Sequence, residues 1–223
     1  MTKDEVFQQV REIGIIPAVR ACSAISAVRA ATAIAKGGIP IVEISMAMPN
    51  SAATLEAVVV ECPETLVGAG TIMDGEGVRL AKRCGAQFIV TPGFDLNAVR
   101  VAQEYDLTIF VGALTPTEVQ VATASGADAV KIFPCYSVGG APYLKSLRGQ
   151  YPDTAFIASG GIGLENCAAY IRTGACAIGV GGEIADADTM NSGDYRVFTV
   201  RSQRLRKAVA EAQALRKPVP TLV

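Results

Sequence analysis

Ala122-Thr123-Ala124-Ser125-Gly126-Ala127-Asp128-Ala129-Val130-Lys131 runs from the end of a helical pattern, through a glycine, into a short β-rich stretch. The same phrase occurs as Ala35-Lys36-Gly37-Gly38-Ile39-Pro40-Ile41-Val42-Glu43-Ile44 and as Ala81-Lys82-Arg83-Cys84-Gly85-Ala86-Gln87-Phe88-Ile89-Val90. Its last copy is Ile171-Arg172-Thr173-Gly174-Ala175-Cys176-Ala177-Ile178-Gly179-Val180. Glycine stops a helix in the left-handed conformation at low cost. A helix that ends on glycine and leads straight into a buried strand is the αβ half of a βαβ unit.

Working outward from these copies places strands at about 15–20, 39–45, 65–70, 87–91, 108–112, 128–133, 155–159 and 176–180. Helix-start residues follow the first five: Ser23, Asn50, Asp74, Asp95, and Thr115 with Pro116. Strands alternating with helices predict a parallel sheet covered on both faces. Eight such units in 223 residues predict a compact α/β fold, the (β/α)8 barrel. A doubly wound open sheet is the alternative, but no G-x-G-x-x-G follows the first strand.

Residues 4–12 read as an extra helix ahead of the first strand, and residues 195–217 as the closing helix. The seven basic residues of that closing helix read as a solvated outer face, with a binding face as the minority reading. One barrel domain over 1–217 is expected, followed by an extended tail at 218–223, where Pro218 and Pro220 cannot continue a helix.

Composition removes several function classes. Half the chain is apolar, which excludes a disordered chain, and 20 basic residues nearly balance 21 acidic ones, which gives no support to nucleic-acid binding. There is no histidine, so a Ser-His-Asp triad and a His-liganded metal are excluded. The six cysteines form no C-x-x-C pair and read as reduced thiols packed as small hydrophobes, as in a cytoplasmic protein. The charged start Met1-Thr2-Lys3-Asp4-Glu5 is not a signal peptide, and no apolar run approaches the ~18 residues of a membrane span.

Three charges stand where a barrel strand is expected to be apolar. Lys131 lies between Val130 and Ile132 and shares a face with Ala129 and Phe133. If inward, it is desolvated, burial favours the neutral amine, and a neutral amine attacks carbonyls. If outward, it snorkels past a helix. Glu43, in Ile41-Val42-Glu43-Ile44-Ser45, needs a partner or a job: it is either a proton-transfer group near Lys131 or half of a buried ion pair. Arg20 ends Ile15-Ile16-Pro17-Ala18-Val19-Arg20 and suits bidentate capture of a carboxylate or phosphate, or else simply opens a surface loop. Two Gly-rich turns, Ser159-Gly160-Gly161-Ile162-Gly163 and Gly179-Val180-Gly181-Gly182, follow strands seven and eight, where this architecture usually binds phosphate.

Taken together, these motifs resemble the 2-keto-3-deoxy-6-phosphogluconate aldolase family, which includes 4-hydroxy-2-oxoglutarate aldolases: class I pyruvate aldolases built on a TIM barrel. The likeness spans about residues 5–215. It rests on Ala18-Val19-Arg20-Ala21, Val42-Glu43-Ile44-Ser45, Gly68-Ala69-Gly70-Thr71, Val90-Thr91-Pro92-Gly93, Lys131-Ile132-Phe133-Pro134 and the two Gly turns. The resemblance implies a Schiff base between Lys131 and pyruvate, with Glu43 as general acid and base. It also implies a pyruvate pocket shaped by Thr71, Pro92 and Phe133, and a phosphate held at Ser159, Gly160, Gly161, Gly181 and Gly182. It implies no cofactor and no metal, a small-molecule 2-keto acid as substrate, and a homotrimer.

Three positions depart from the family pattern. Ala47 stands where one branch carries the arginine that binds the pyruvate carboxylate, so that role is assigned to Arg20, as in another branch. Ser159 replaces a frequent threonine and keeps the hydroxyl. Gly182 replaces a frequent serine, and Glu183 comes next, which is expected to weaken phosphate binding. The expected activity is cleavage of a 2-keto-4-hydroxy acid, such as 2-keto-3-deoxy-6-phosphogluconate, to pyruvate and an aldehyde. Two rivals stand beside it: a phosphosugar isomerase or epimerase using Glu43 as base without an imine, and a barrel that binds without catalysing.

Overall fold

The computed structural model describes residues 1–215, and the tail expected at 218–223 lies outside them. Eight parallel strands close into a barrel in chain order. They are β1 (Ile15–Val19), β2 (Ile41–Ser45), β3 (Leu66–Gly70), β4 (Phe88–Val90), β5 (Thr108–Ala113), β6 (Ala129–Ile132), β7 (Phe156–Ser159) and β8 (Ala177–Val180). Helix α1 (Lys3–Ile13) precedes β1, and α2 (Ala24–Lys36), α3 (Ser51–Glu61), α4 (Gly75–Arg83), α5 (Leu96–Glu104) and α6 (Pro116–Ala124) follow the first five strands. Then come α7 (Gly140–Gln150), α8 (Cys167–Thr173), α9 (Ala187–Ser192) and α10 (Arg196–Ala214). Each strand end lies within two residues of its position in the sequence reading.

Local chemistry explains the helix starts. Ser23, Asp74, Asp95 and Thr115 each accept a bond from the N–H three residues on, at 3.2, 2.8, 2.7 and 3.4 Å. At Thr115 the bond is reciprocated by Glu118, whose carboxyl is held below its ordinary range by the Thr115 and Leu114 N–H groups. Asn50 does begin α3, but its side chain makes no capping bond; its backbone is left-handed, with φ 56°, instead of the extended form from which a cap reaches its helix. Helix α9 was not anticipated, because six residues are too few to show a helical period.

The barrel interior decides where the site lies. Ile16, Ile41, Leu66, Phe88, Phe110, Ala129, Ile157 and Ala177 form one buried cluster with Val6 and Val10 of α1. Phe7 of α1 meets Phe110 at 5.9 Å between ring centroids, and Gly68 lacks a Cβ where the Phe88 ring passes. Burying each large apolar side chain contributes about 1.5–3 kcal/mol. Lys3 clips α1 to Asp128 at 3.0 Å, so the helix closes the N-terminal end of the barrel. Side chains in a strand alternate, so the next inward positions after this apolar layer face the opposite mouth. On β2 that position is Glu43, on β6 Lys131, on β7 Ser159 and on β8 Gly179.

The outward faces of the strands pack against the helices in a second cluster that includes Val42, Val67, Ile89, Val111, Val130 and Ile178. Four of the six cysteines, Cys62, Cys84, Cys135 and Cys167, are buried. Of the basic residues of α10, Arg196, Arg204 and Lys207 are exposed, as the solvated face expects, whereas Arg201 is half-buried and pairs with Asp186, and Arg206 Nη1 is buried. Arg216 and Lys217, counted on the same helix in the sequence reading, lie outside the described residues.

Candidate active site

A cleft of about 440 Å³ opens at the C-terminal mouth of the barrel. That volume suits a small organic ligand. Every residue singled out from the sequence lines it: Arg20, Glu43, Thr71, Pro92, Lys131, Phe133, Ser159, Gly160, Gly161, Gly181 and Gly182. It also takes in Ala18, Ile162, Gly179, Val180 and Glu183. Of these, Glu183 was noted only as a departure from the family pattern.

Lys131 points inward, which removes the snorkelling alternative. Its residue is 9% exposed, and Nζ lies 5.3 Å from the centre of the Phe133 ring. Glu43, on β2, is 4% exposed. Among the described residues no ion pair within 4.0 Å includes either group, so the buried-ion-pair reading has no support. A buried carboxylate and a buried amine without such a pair suit groups held for a ligand.

Glycine makes room for both. A Cβ on Gly70 of β3 would coincide with the Glu43 carboxylate. Gly70→Ala is therefore expected to displace that carboxylate, lowering stability by about 1–3 kcal/mol through overpacking. Turnover should fall with it. Chemical denaturation and steady-state kinetics measure the two effects, and wild-type values in both would show that Glu43 is not confined by β3.

Smaller bonds fix the rest of the wall. Thr71, just past β3, has φ 57°, an uncommon value for a residue other than glycine, and its Oγ1 lies 3.1 Å from Ser45 Oγ on β2. Ser45 was missed in the sequence reading, although it follows Glu43 by two and so shares its inward face. Pro92 is seated against the main chain of β5, where Gly112 has no side chain, and Thr91 Oγ1 accepts from Gly112 N–H at 3.0 Å. Cys135, close behind Phe133 in sequence, is a packing residue: burial pushes its thiol up to about 11, so it offers no thiolate near neutral pH.

At the other end of the cleft, Gly179 leaves space for the Ser159 hydroxyl, 2.7 Å from where a Cβ would stand. Gly160 and Gly161 have φ of 91° and 71°, which glycine accommodates readily. Arg20 is exposed at the mouth, and its Nη1 lies 3.2 Å from the position of a Cβ on Gly181. The guanidinium thus leans over the turn after β8. Among the described residues no group of three or more His, Cys, Asp or Glu is arranged to hold a metal ion.

The family model for KDPG and KHG aldolase matches residues 6–200. A 2-dehydro-3-deoxy-phosphogluconate aldolase of Treponema pallidum is 31% identical over 207 residues, 92% of this chain and 97% of its own length. A 2-dehydro-3-deoxy-6-phosphogalactonate aldolase of Escherichia coli is 31% identical over 210 residues, covering 93% of this chain and 97% of that protein. Among solved structures, native KDPGal superposes with a TM-score of 0.83 at 31% identity, over 90% of this chain and 96% of that one.

Proposed function

This chain belongs to the KDPG and KHG aldolase family, and from that premise we propose that Lys131 and Glu43 carry out a class I aldol cleavage of a 2-keto-4-hydroxy acid. The observation that carries the assignment is the meeting of a buried lysine from β6 and a buried carboxylate from β2 in one cleft, with no ion pair within 4.0 Å to consume either among the described residues. The Lys131 amine attacks C2 of the keto acid, and loss of water with uptake of one proton from solvent, returned when the imine is hydrolysed, leaves a protonated imine. Glu43 takes the proton from the C4 hydroxyl. The C3–C4 bond then breaks, its electrons pass into the imine, and an aldehyde departs from the resulting enamine. Glu43 returns the proton to C3, and water hydrolyses the imine to release pyruvate and the free amine.

Thr71, Pro92 and Phe133 are assigned to the pyruvate end. Ser159, Gly160, Gly161, Gly181 and Gly182 are assigned to the tail of the substrate. Arg20 is assigned to the substrate carboxylate, since Ala47 has no polar group and the planar guanidinium fork matches a carboxylate. Arg20→Ala is expected to lower kcat/KM at least tenfold, and Arg20→Lys is expected not to restore it, because a point charge does not replace the fork. Near-normal kcat/KM in both variants would remove Arg20 from substrate binding.

The activity is tested by pyruvate release from a panel of 2-keto-4-hydroxy acids. Turnover of phosphosugar isomers without pyruvate release would favour the isomerase instead. Among the described residues no helix is long and apolar enough to cross a membrane. A homotrimer in the cytoplasm is the assembly and compartment proposed, and light scattering on the purified chain tests the trimer.

A further inference from the structure

On the aldolase reading above, the keto end of the substrate lies at Lys131 and its tail extends toward the turns after β7 and β8. One backbone donor at that far end is already taken. Gly163, the last glycine of the β7 turn, donates its N–H to Asn166 Oδ1 at 3.0 Å, and Asn166 Nδ2 donates to the Gly161 carbonyl at 2.9 Å. The Gly163 N–H is thus already engaged within the turn.

Glu183, the first residue after the Gly181-Gly182 pair, reaches across from the β8 side. A Cβ on Gly163 would stand 2.8 Å from Glu183 Oε2, so the carboxylate packs against the main chain of the β7 turn while lining the cleft. The segment behind it is anchored: Ile184 O accepts from Arg201 Nη1 at 3.3 Å, and Asp186 pairs with the same guanidinium. Glu183 is exposed and also lines a second cleft with Arg201 and Arg204, but among the described residues no ion pair within 4.0 Å includes it.

The charged groups lining the cleft are Arg20 and Lys131 against Glu43 and Glu183. The carboxylate that every 2-keto acid carries already calls on one of those cations. A tail ending in phosphate brings about −1.5 to −2 more charge toward a site that offers a second carboxylate. A tail ending in hydroxyls brings none and supplies O–H donors, which a carboxylate accepts well.

We infer that Glu183 selects 2-keto-4-hydroxy acids with a neutral, hydroxylated tail over those whose tail ends in an anion. This rests on the aldolase reading, and the experiment separates the two. Pyruvate release is measured with 2-keto-3-deoxygluconate and with its 6-phosphate, for the native chain, Glu183→Gln and Glu183→Ser. The native chain is expected to have the higher kcat/KM on the unphosphorylated acid. In both variants the ratio of the two kcat/KM values should move at least tenfold toward the phosphorylated acid. The glutamine keeps the size of Glu183 and removes its charge, so a shift shared by both variants reports charge and not packing. A native preference for the 6-phosphate, or a shift of less than tenfold in either variant, overturns the inference while leaving the aldolase intact. No pyruvate from any acid, with no borohydride-trapped pyruvate adduct on the native chain, overturns both.

Discussion

Lys131→Ala is expected to eliminate pyruvate release while leaving the barrel folded. Removing a covalent nucleophile costs on the order of 10⁴–10⁶-fold in turnover in enzymes where groups act as a unit. Stability should change little by comparison. Lys131 forms no ion pair among the described residues, and its Nζ lies 5.3 Å from the centre of the Phe133 ring. The apolar layer beneath it, which includes Ile41 and Ala177, does not include Lys131. Steady-state kinetics and thermal denaturation of the same preparation check the two halves. Turnover within tenfold of the native chain would place the chemistry elsewhere in the cleft.

The second large effect is expected at Glu43. Glu43→Gln keeps the shape that Gly70 accommodates and removes the proton acceptor. General acid–base groups contribute typically ~10²–10⁴-fold, so kcat should fall by that amount. KM for the keto acid should change less, since Glu43 is assigned to the C4 hydroxyl and C3, not to the carboxylate. A variant within about twofold of the native kcat would contradict a proton-transfer role, because the Brønsted contribution of such a group is far larger. The pair of variants also divides the mechanism. Lys131→Ala should abolish trapping of pyruvate, whereas Glu43→Gln should still permit it, because trapping needs the imine and not the C–C cleavage.

Much of this architecture is legible in the residues because the barrel repeats one physical unit. The glycine that stops a helix and the β-branched run after it located β2, β4, β6 and β8 directly; the alternation of side chains put Lys131 on one face with Ala129 and Phe133, and the barrel turns that face inward. A charge inside an apolar strand is a strong signal, since nothing but a partner or a function offsets its burial.

What was not legible depends on how loops return across the mouth. Glu183 stands out in sequence only as a departure from the family pattern; its contact with Gly163, twenty residues earlier and on a different turn, is not legible there. Ser45 and Thr71 are joined across neighbouring strands by a bond that a single sequence does not display. Asn50 has the right residue type for a cap but a left-handed backbone that turns the side chain away from the role. Short α9 is held by its Asp186 cap and by Arg201 of α10, a tertiary contact and not a pattern along the chain.

The central claim is that Lys131 forms an imine with the 2-keto acid. Incubating the native chain with pyruvate and borohydride, followed by intact mass and peptide mapping, tests it most directly. The account predicts one reduced pyruvate per chain, located on the peptide that carries Lys131, and none on Lys131→Ala. An adduct on another lysine, equal labelling of the variant, or no adduct on a chain that still releases pyruvate would contradict it.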